Sequence, residues 1–197
     1  HYSHKWNEGG FGKYNYGIFS ADNPDKCLGV AVYGFMMNPS ANIFTSSNPH
    51  GWMCELNRMW IDDCLGKNAE TILIGASLKL LRKDDTNIVA VQSFADGRLG
   101  CGTIYKAANF RYYGYHWTIF GRLKRSKETL HEQLFTKSTS TRGFIRSNVN
   151  YLLGECDFFK VKTYRYIYPF ERSFVFLKGK EQPYPEYEKG EHAYIWI

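Results

Sequence analysis

The residues most able to do chemistry lie between Ser93 and Gly114, SFADGRLGCGTIYKAANFRYYG. An apolar run ends at Asp96, a glycine-rich turn follows, and a short helix carries Tyr105. A carboxylate and a phenol brought to one site are two groups that can exchange protons with a substrate. Arg58, in MCELNRMWID, would stabilise negative charge on a donor or an intermediate. Gly66-Lys67-Asn68-Ala69-Glu70-Thr71 leaves backbone N–H groups at the positive end of a helix, a ready place for a phosphate or pyrophosphate. Each has an ordinary alternative: Asp96 capping its turn, Tyr105 packing, Arg58 pairing with Glu55.

These groups need elements to position them. Residues 53–62 alternate about Cys54, Leu56, Met59 and Ile61, which reads as a central strand with a bulge at Asn57-Arg58. Glu55, Asn57 and Arg58 are costly to bury unless paired. Either they face a ligand at the strand's open end, or Glu55 and Arg58 satisfy structural partners; the residues favour neither. Asn68 reads as the N-cap of an amphipathic helix over Ala69 to Arg82, with Leu73, Ala76 and Leu80 inward. Asn87 to Ala95 is a buried strand. The next helix starts at Cys101-Gly102-Thr103, with Ile104, Ala107 and Ala108 inward. This order predicts a parallel pairing of the Glu55 and Val89 strands.

Around that centre, residues 17–20 and 27–36 read as strands joined by the turn ADNPDK, and 37–52 as a loop. Residues 116–120, 162–168 and 173–177 read as further strands. A basic helix is expected over about 126–135, then a Ser/Thr-rich loop. The end of the chain reads as an arm docked by Tyr184, Tyr187, Tyr194 and Trp196. No repeat or linker is evident, so one domain over 1–197 is expected, elaborated by a basic, aromatic C-terminal extension from about 122.

With 44% hydrophobic and 22% charged residues the chain should fold. Aromatics at 17% exceed what a core needs and point to stacking surfaces. The net charge of +6 is concentrated: residues 101–150 hold nine Lys/Arg against two acids. Such a cluster favours a polyanion, here nucleic acid, through counterion release. The candidate contacts are Arg111, Arg122, Lys124, Arg125, Lys127, Arg142 and Arg146. Five cysteines, an odd number without a CxxC pair, fit a reducing compartment and argue against a disulfide framework or a thiolate zinc site. His1 and His4 lack a third ligand nearby, so no metal is expected. No apolar run is long enough to span a membrane, and no signal-peptide pattern is visible. The chain opens on His, which leaves room for residues upstream.

The element order, with ELNRMWI, GKNAETILIGASL, IVAVQSFA and IYKAANF, resembles the GNAT acyltransferase fold. That resemblance implies an α/β (α+β) mixed central sheet, a parallel strand pair splayed around the donor site, helices on both faces, and Tyr105 as general acid. More narrowly, HYSHKW, ELNRMWID, NAET, SFAD and GTIYKAANFRYYG together resemble the Mom family of phage DNA-modification proteins, over about the first 120 residues. The family positions matched are His1, Tyr2, Arg58, Thr71, Asp96 and Tyr105. Cys101 stands where relatives tend to carry a His, and GKNAET lacks the full CoA-binding glycine pattern.

The resemblance implies an enzyme that converts the N6 amino group of adenine in phage DNA to an acetamido (carbamoylmethyl) derivative, hiding restriction sites. It implies double-stranded DNA as partner and the infected host's cytoplasm as location, and leaves a homodimer open. The donor is acetyl-CoA by default, with glycyl-tRNA as rival. The catalytic set is then Asp96 as base or base-orienter, Tyr105 as acid, and Arg58, with His1 and Tyr2. Lys67, Asn68, Ala69, Glu70 and Thr71 would hold donor phosphates. Two other readings compete: a GNAT enzyme acetylating a small amine, a protein or tRNA, and a non-catalytic DNA-binding module on a GNAT scaffold.

Overall fold

A computed structural model describes residues 12–39, 41–131, 154–186 and 194–196. Its strands are β1 (Gly12–Phe19), β2 (Cys27–Phe35), β3 (Phe44–Thr45), β4 (Trp52–Ile61), β5 (Ile88–Asp96), β6 (Arg111–Leu123), β7 (Thr129–His131), β8 (Cys156–Pro169), β9 (Val175–Phe176) and β10 (Tyr194–Trp196). The helices are α1 (Ala69–Asp84) and α2 (Thr103–Ala107). The main sheet runs β1-β2-β4-β5-β8-β6-β7, with β10 on β8, and β3 and β9 form a separate ribbon. The fold is thus mixed α/β, rich in strand and poor in helix. The chain divides into two compact units: unit 1 is His1–Ser93, Thr103–Gly114 and Tyr166–Tyr184, and unit 2 is Phe94–Gly102, Tyr115–Arg165 and Pro185–Ile197.

In unit 1, β2 pairs antiparallel with both β1 and β4. β4 and β5 pair in parallel, as expected, through Trp52↔Ile88, Met53↔Ala90, Cys54↔Val91 and Glu55↔Gln92. α1 is the crossover that a parallel pair requires. The ladder ends at Glu55 and Gln92 although both strands run on, which leaves a fork in the sheet. The bulge expected at Asn57-Arg58 is present. Val32 faces Arg58 and Tyr33 faces Leu56, so Asn57 is the extra residue.

Paired and alternate residues share a face, which puts Tyr33, Cys54, Leu56, Val91 and Ser93 on one side. Both helices meet that side: Ser77 of α1 is hydrogen-bonded to Tyr33, and Tyr105 of α2 to Ser93. Helices on both faces were expected. Instead, a cluster of Met36, Met53, Ala90, Ile167, Phe174 and Phe176 lies on the other side, with Phe44 of the ribbon against it.

α1 buries Leu73, Ile74, Ser77, Leu78 and Leu81, while Ala76 and Leu80 face outward. The expected inner stripe is therefore rotated, because Ser77 is the residue bonded into the core (Tyr33 Oη to Ser77 Oγ, 2.7 Å). Asn68 does stand at the N-cap, but its side chain makes no capping bond. Its backbone is left-handed, at φ 67°, a conformation Asn tolerates. Its carbonyl accepts from the Ile72 N–H at 3.0 Å. In α2, Tyr105 is buried and Ala107 exposed, the reverse of the expected inward set at Ala107.

Unit 2 replaces the basic helix expected over 126–135. Thr129–His131 is a strand, pairing Phe120↔His131, Gly121↔Leu130 and Arg122↔Thr129. Lys127, at φ 60°, turns the chain and breaks any helix there; residues 132–135 lie outside the described residues. Phe120 stacks on Phe159 with ring centroids 5.7 Å apart, and Trp196 lies tilted against Phe159 at 5.1 Å.

Candidate functional site

The fork between β4 and β5 carries polar groups on both faces of unit 1. On the helix face, Ser93 is buried and donates its hydroxyl to Tyr105 Oη at 2.9 Å. α2 delivers that phenol, and Tyr166 and Phe110 hold its ring at 5.1 and 5.4 Å. Burial raises the Tyr105 pKa, and the Ser93 hydrogen bond offsets part of the rise. The phenol therefore keeps its proton at neutral pH and accepts from Ser93 without spending that proton. This is the state a general acid requires.

On the opposite face, Gln92 donates Nε2 to Glu55 Oε2 at 2.7 Å. Asn57 lies 3.5 Å from both Glu55 Oε1 and the Phe35 carbonyl, through Nδ2. Of the two readings the sequence left for Glu55, these bonds realise the structural one, with Gln92 and Asn57 as partners. The sequence marks Gln92 and Ser93 only by their polarity inside IVAVQSFA.

The other sequence-derived candidates are spread more widely. Arg58 is exposed on β4, and its Nη1 donates to the Asn57 carbonyl at 2.6 Å. Lys67 and Asn68 are exposed before α1, and Ala69, Glu70 and Thr71 form its first turn. First-turn N–H groups have no intrahelical acceptor, which fits a phosphate contact, although the Glu70 carboxylate opposes one. Arg111 is exposed and lies 3.7 Å from Glu181.

Asp96 belongs to unit 2. The Arg98 side chain grips both its carboxylate oxygens, Nε at 3.0 Å from each and Nη2 on Oδ2, while the Arg98 N–H caps Oδ1 at 2.9 Å. The Arg98 guanidinium in turn stacks over Phe120 at 4.4 Å. The turn-capping alternative for Asp96 is thus realised in the geometry. Lys124 donates to the Gly154 carbonyl at 2.9 Å and lies 4.0 Å from Asp157. Arg125 is 88% exposed and 3.6 Å from Glu155. Arg122 lies over the Trp196 ring at 5.9 Å. His1, Tyr2, Arg142 and Arg146 lie outside the described residues. Among the described residues no group of three or more His, Cys, Asp or Glu could hold a metal, and no helix is long and apolar enough to cross a membrane.

The family model described as the Mom protein family matches residues 1–186 of this chain. Among curated proteins, "Methylcarbamoylase mom" of Escherichia phage Mu is 33% identical over 159 residues. The match covers 77% of this chain and 61% of that relative, so the chain spans about three fifths of the length of the curated protein it matches.

Proposed function

The chain belongs to the Mom protein family, and from that premise we propose that it is a phage DNA-modification enzyme. Its substrate is the N6 amino group of adenine in DNA. Its product is the acetamido (carbamoylmethyl) derivative, which hides the genome from host restriction. The name of the phage Mu relative, a methylcarbamoylase, supports this reading. The observation that carries it is the fork, where a parallel β4–β5 pair joined by α1 opens beside a buried, protonated phenol.

A GNAT-like acyl transfer suits that geometry. It joins N6 to the donor carbonyl and expels the donor's leaving group. A glycyl donor thus gives an N6-glycyl group, which becomes carbamoylmethyl when the two nitrogens exchange places on the two-carbon unit with no atom gained or lost. An acetyl donor gives only N6-acetyl, without the product's amide nitrogen. The adenine amine is a weak nucleophile because its lone pair is delocalised into the ring. It must be held against an activated donor, lose a proton, and face a stabilised oxyanion. Tyr105 protonates the leaving group as it departs. Arg58 offsets negative charge on donor or intermediate. The first turn of α1, at Lys67 to Thr71, holds donor phosphates, whether of acetyl-CoA or of an aminoacyl donor such as glycyl-tRNA. The role of Asp96, as the base that takes the N6 proton or as the orienter of that base, rests on the family match, since Arg98 occupies its carboxylate. The same is true of His1 and Tyr2. In a duplex the target amine is shielded, so the base is flipped out. Basic residues of 111–146 grip the phosphates, and the reaction takes place in the host cytoplasm.

The test is the mass of deoxyadenosine from DNA of cells expressing the protein. A carbamoylmethyl and a glycyl group have the same composition, so fragmentation must accompany the mass. A modified nucleoside bearing either group supports the reading. Unmodified deoxyadenosine, with tight DNA binding, would instead favour the non-catalytic module. Acetyl-CoA turnover on small amines without DNA would favour an ordinary acetyltransferase.

A further inference from the structure

We propose that Glu55, Asn57 and Gln92 form a subsite that receives an N–H donor group, a primary amine or a carboxamide –NH2. The inference rests on the reading of the fork as the reaction site and names what its second face binds. Gln92 is 5% exposed, and its Oε1 is buried without a hydrogen-bond partner among the described residues. Asn57 Oδ1 is in the same condition. Both amides present their nitrogens to the Glu55 carboxylate. Turning either amide over would aim a carbonyl at that carboxylate, so Glu55 sets both orientations.

The chemistry left over is one-sided, because the two amide oxygens are acceptors only. Buried acceptors without donors are rare because each forfeits its hydration. Two of them tied to one carboxylate need a ligand rich in N–H. An ammonium offers three donors, and a carboxamide or an aromatic amine offers two. A phosphate would be repelled, and a methyl group would leave both oxygens unpaired. Glu55 and Gln92 are also the last rung of the parallel ladder, and Ser93, which holds the Tyr105 phenol, is the next residue. The subsite therefore sits where the sheet opens. Two sources share the chemistry: the exocyclic amine of the purine, and an amino or amide end on the donor.

The experiment uses the intact protein and two probes, glycinamide and 9-methyladenine, without DNA or turnover. The side-chain amide NMR signals of Asn57 and Gln92 are followed during titration. Saturable shifts of both signals by glycinamide assign the subsite to the donor; the same shifts by 9-methyladenine assign it to the base. Gln92→Met weakens the effective probe about tenfold or more. If that variant does not fold, Asn57→Leu carries the same expectation. Amide signals unmoved by saturating amounts of both probes overturn the proposal, as does an equal response to acetone, which has no donor. Because no modification is measured, failure here leaves the proposed activity standing, and loss of that activity leaves this binding result intact.

Discussion

Replacing Tyr105 by Phe separates the phenol's chemistry from its packing. The ring keeps its contacts with Tyr166 and Phe110, at 5.1 and 5.4 Å. What is lost is the oxygen that accepts from Ser93, a hydroxyl only 2% exposed. Leaving a buried donor unpaired costs about 1–3 kcal/mol. Ser93→Ala alone should cost a similar amount. The double variant removes both partners and should lie close to the milder single variant, a coupling of about 1 kcal/mol or more. Urea denaturation of the four proteins reads this cycle. Activity should divide differently. A positioned general acid contributes about 10²–10⁴-fold, so Tyr105→Phe should abolish detectable base modification, while Ser93→Ala retains a measurable share. Since burial raises the phenol's pKa above its ordinary value near 10, Tyr105 should add no falling limb to the pH profile below that point. Full modification by Tyr105→Phe refutes the acid role. Additive stability effects in the cycle refute the hydrogen bond.

Two further outcomes follow from the geometry. Arg125→Ala should change stability by no more than about 0.5 kcal/mol, because the side chain is 88% exposed beside Glu155. It should flatten the salt dependence of DNA binding by about one counterion, and an unchanged slope removes Arg125 from the interface. Burial pushes the Cys54 thiol from 9.0 to about 12. The folded state therefore holds a proton that the unfolded chain releases, and stability is full below pH 9 and falls toward about 12, by up to about 1.4 kcal/mol per pH unit. Cys54→Ala should flatten urea midpoints between about pH 9 and 10 relative to the parent; an equally steep decline would disprove it.

The central strands were legible because their signals are local. A helix-length crossover between two apolar runs forces parallel pairing, and the polar Asn57-Arg58 step in an alternating strand marks a bulge. The partner of Glu55 was not legible, since Gln92 lies 37 positions away and meets it only through the ladder. The grip of Arg98 on Asp96 was readable in principle from ADGR, two residues apart across a turn. The position of Asp96 at a strand end drew attention to its chemistry instead. The basic helix failed for a different reason. Lys127 adopts a left-handed turn, and Thr129–His131 gain more by pairing with β6 than a short isolated helix would from its own hydrogen bonds.

The two faces of the fork bear on the donor. An acetyl group would present a methyl to whatever lies beside its carbonyl. Against two buried acceptor oxygens, a methyl satisfies nothing. Should glycinamide and not 9-methyladenine shift the Gln92 and Asn57 signals, the occupant is an amino-bearing two-carbon donor, whose atoms are the same set as those of a carbamoylmethyl group. Glycinamide shifting Gln92 where acetamide, which keeps the amide but loses the amine, does not would make the ammonium the recognised group.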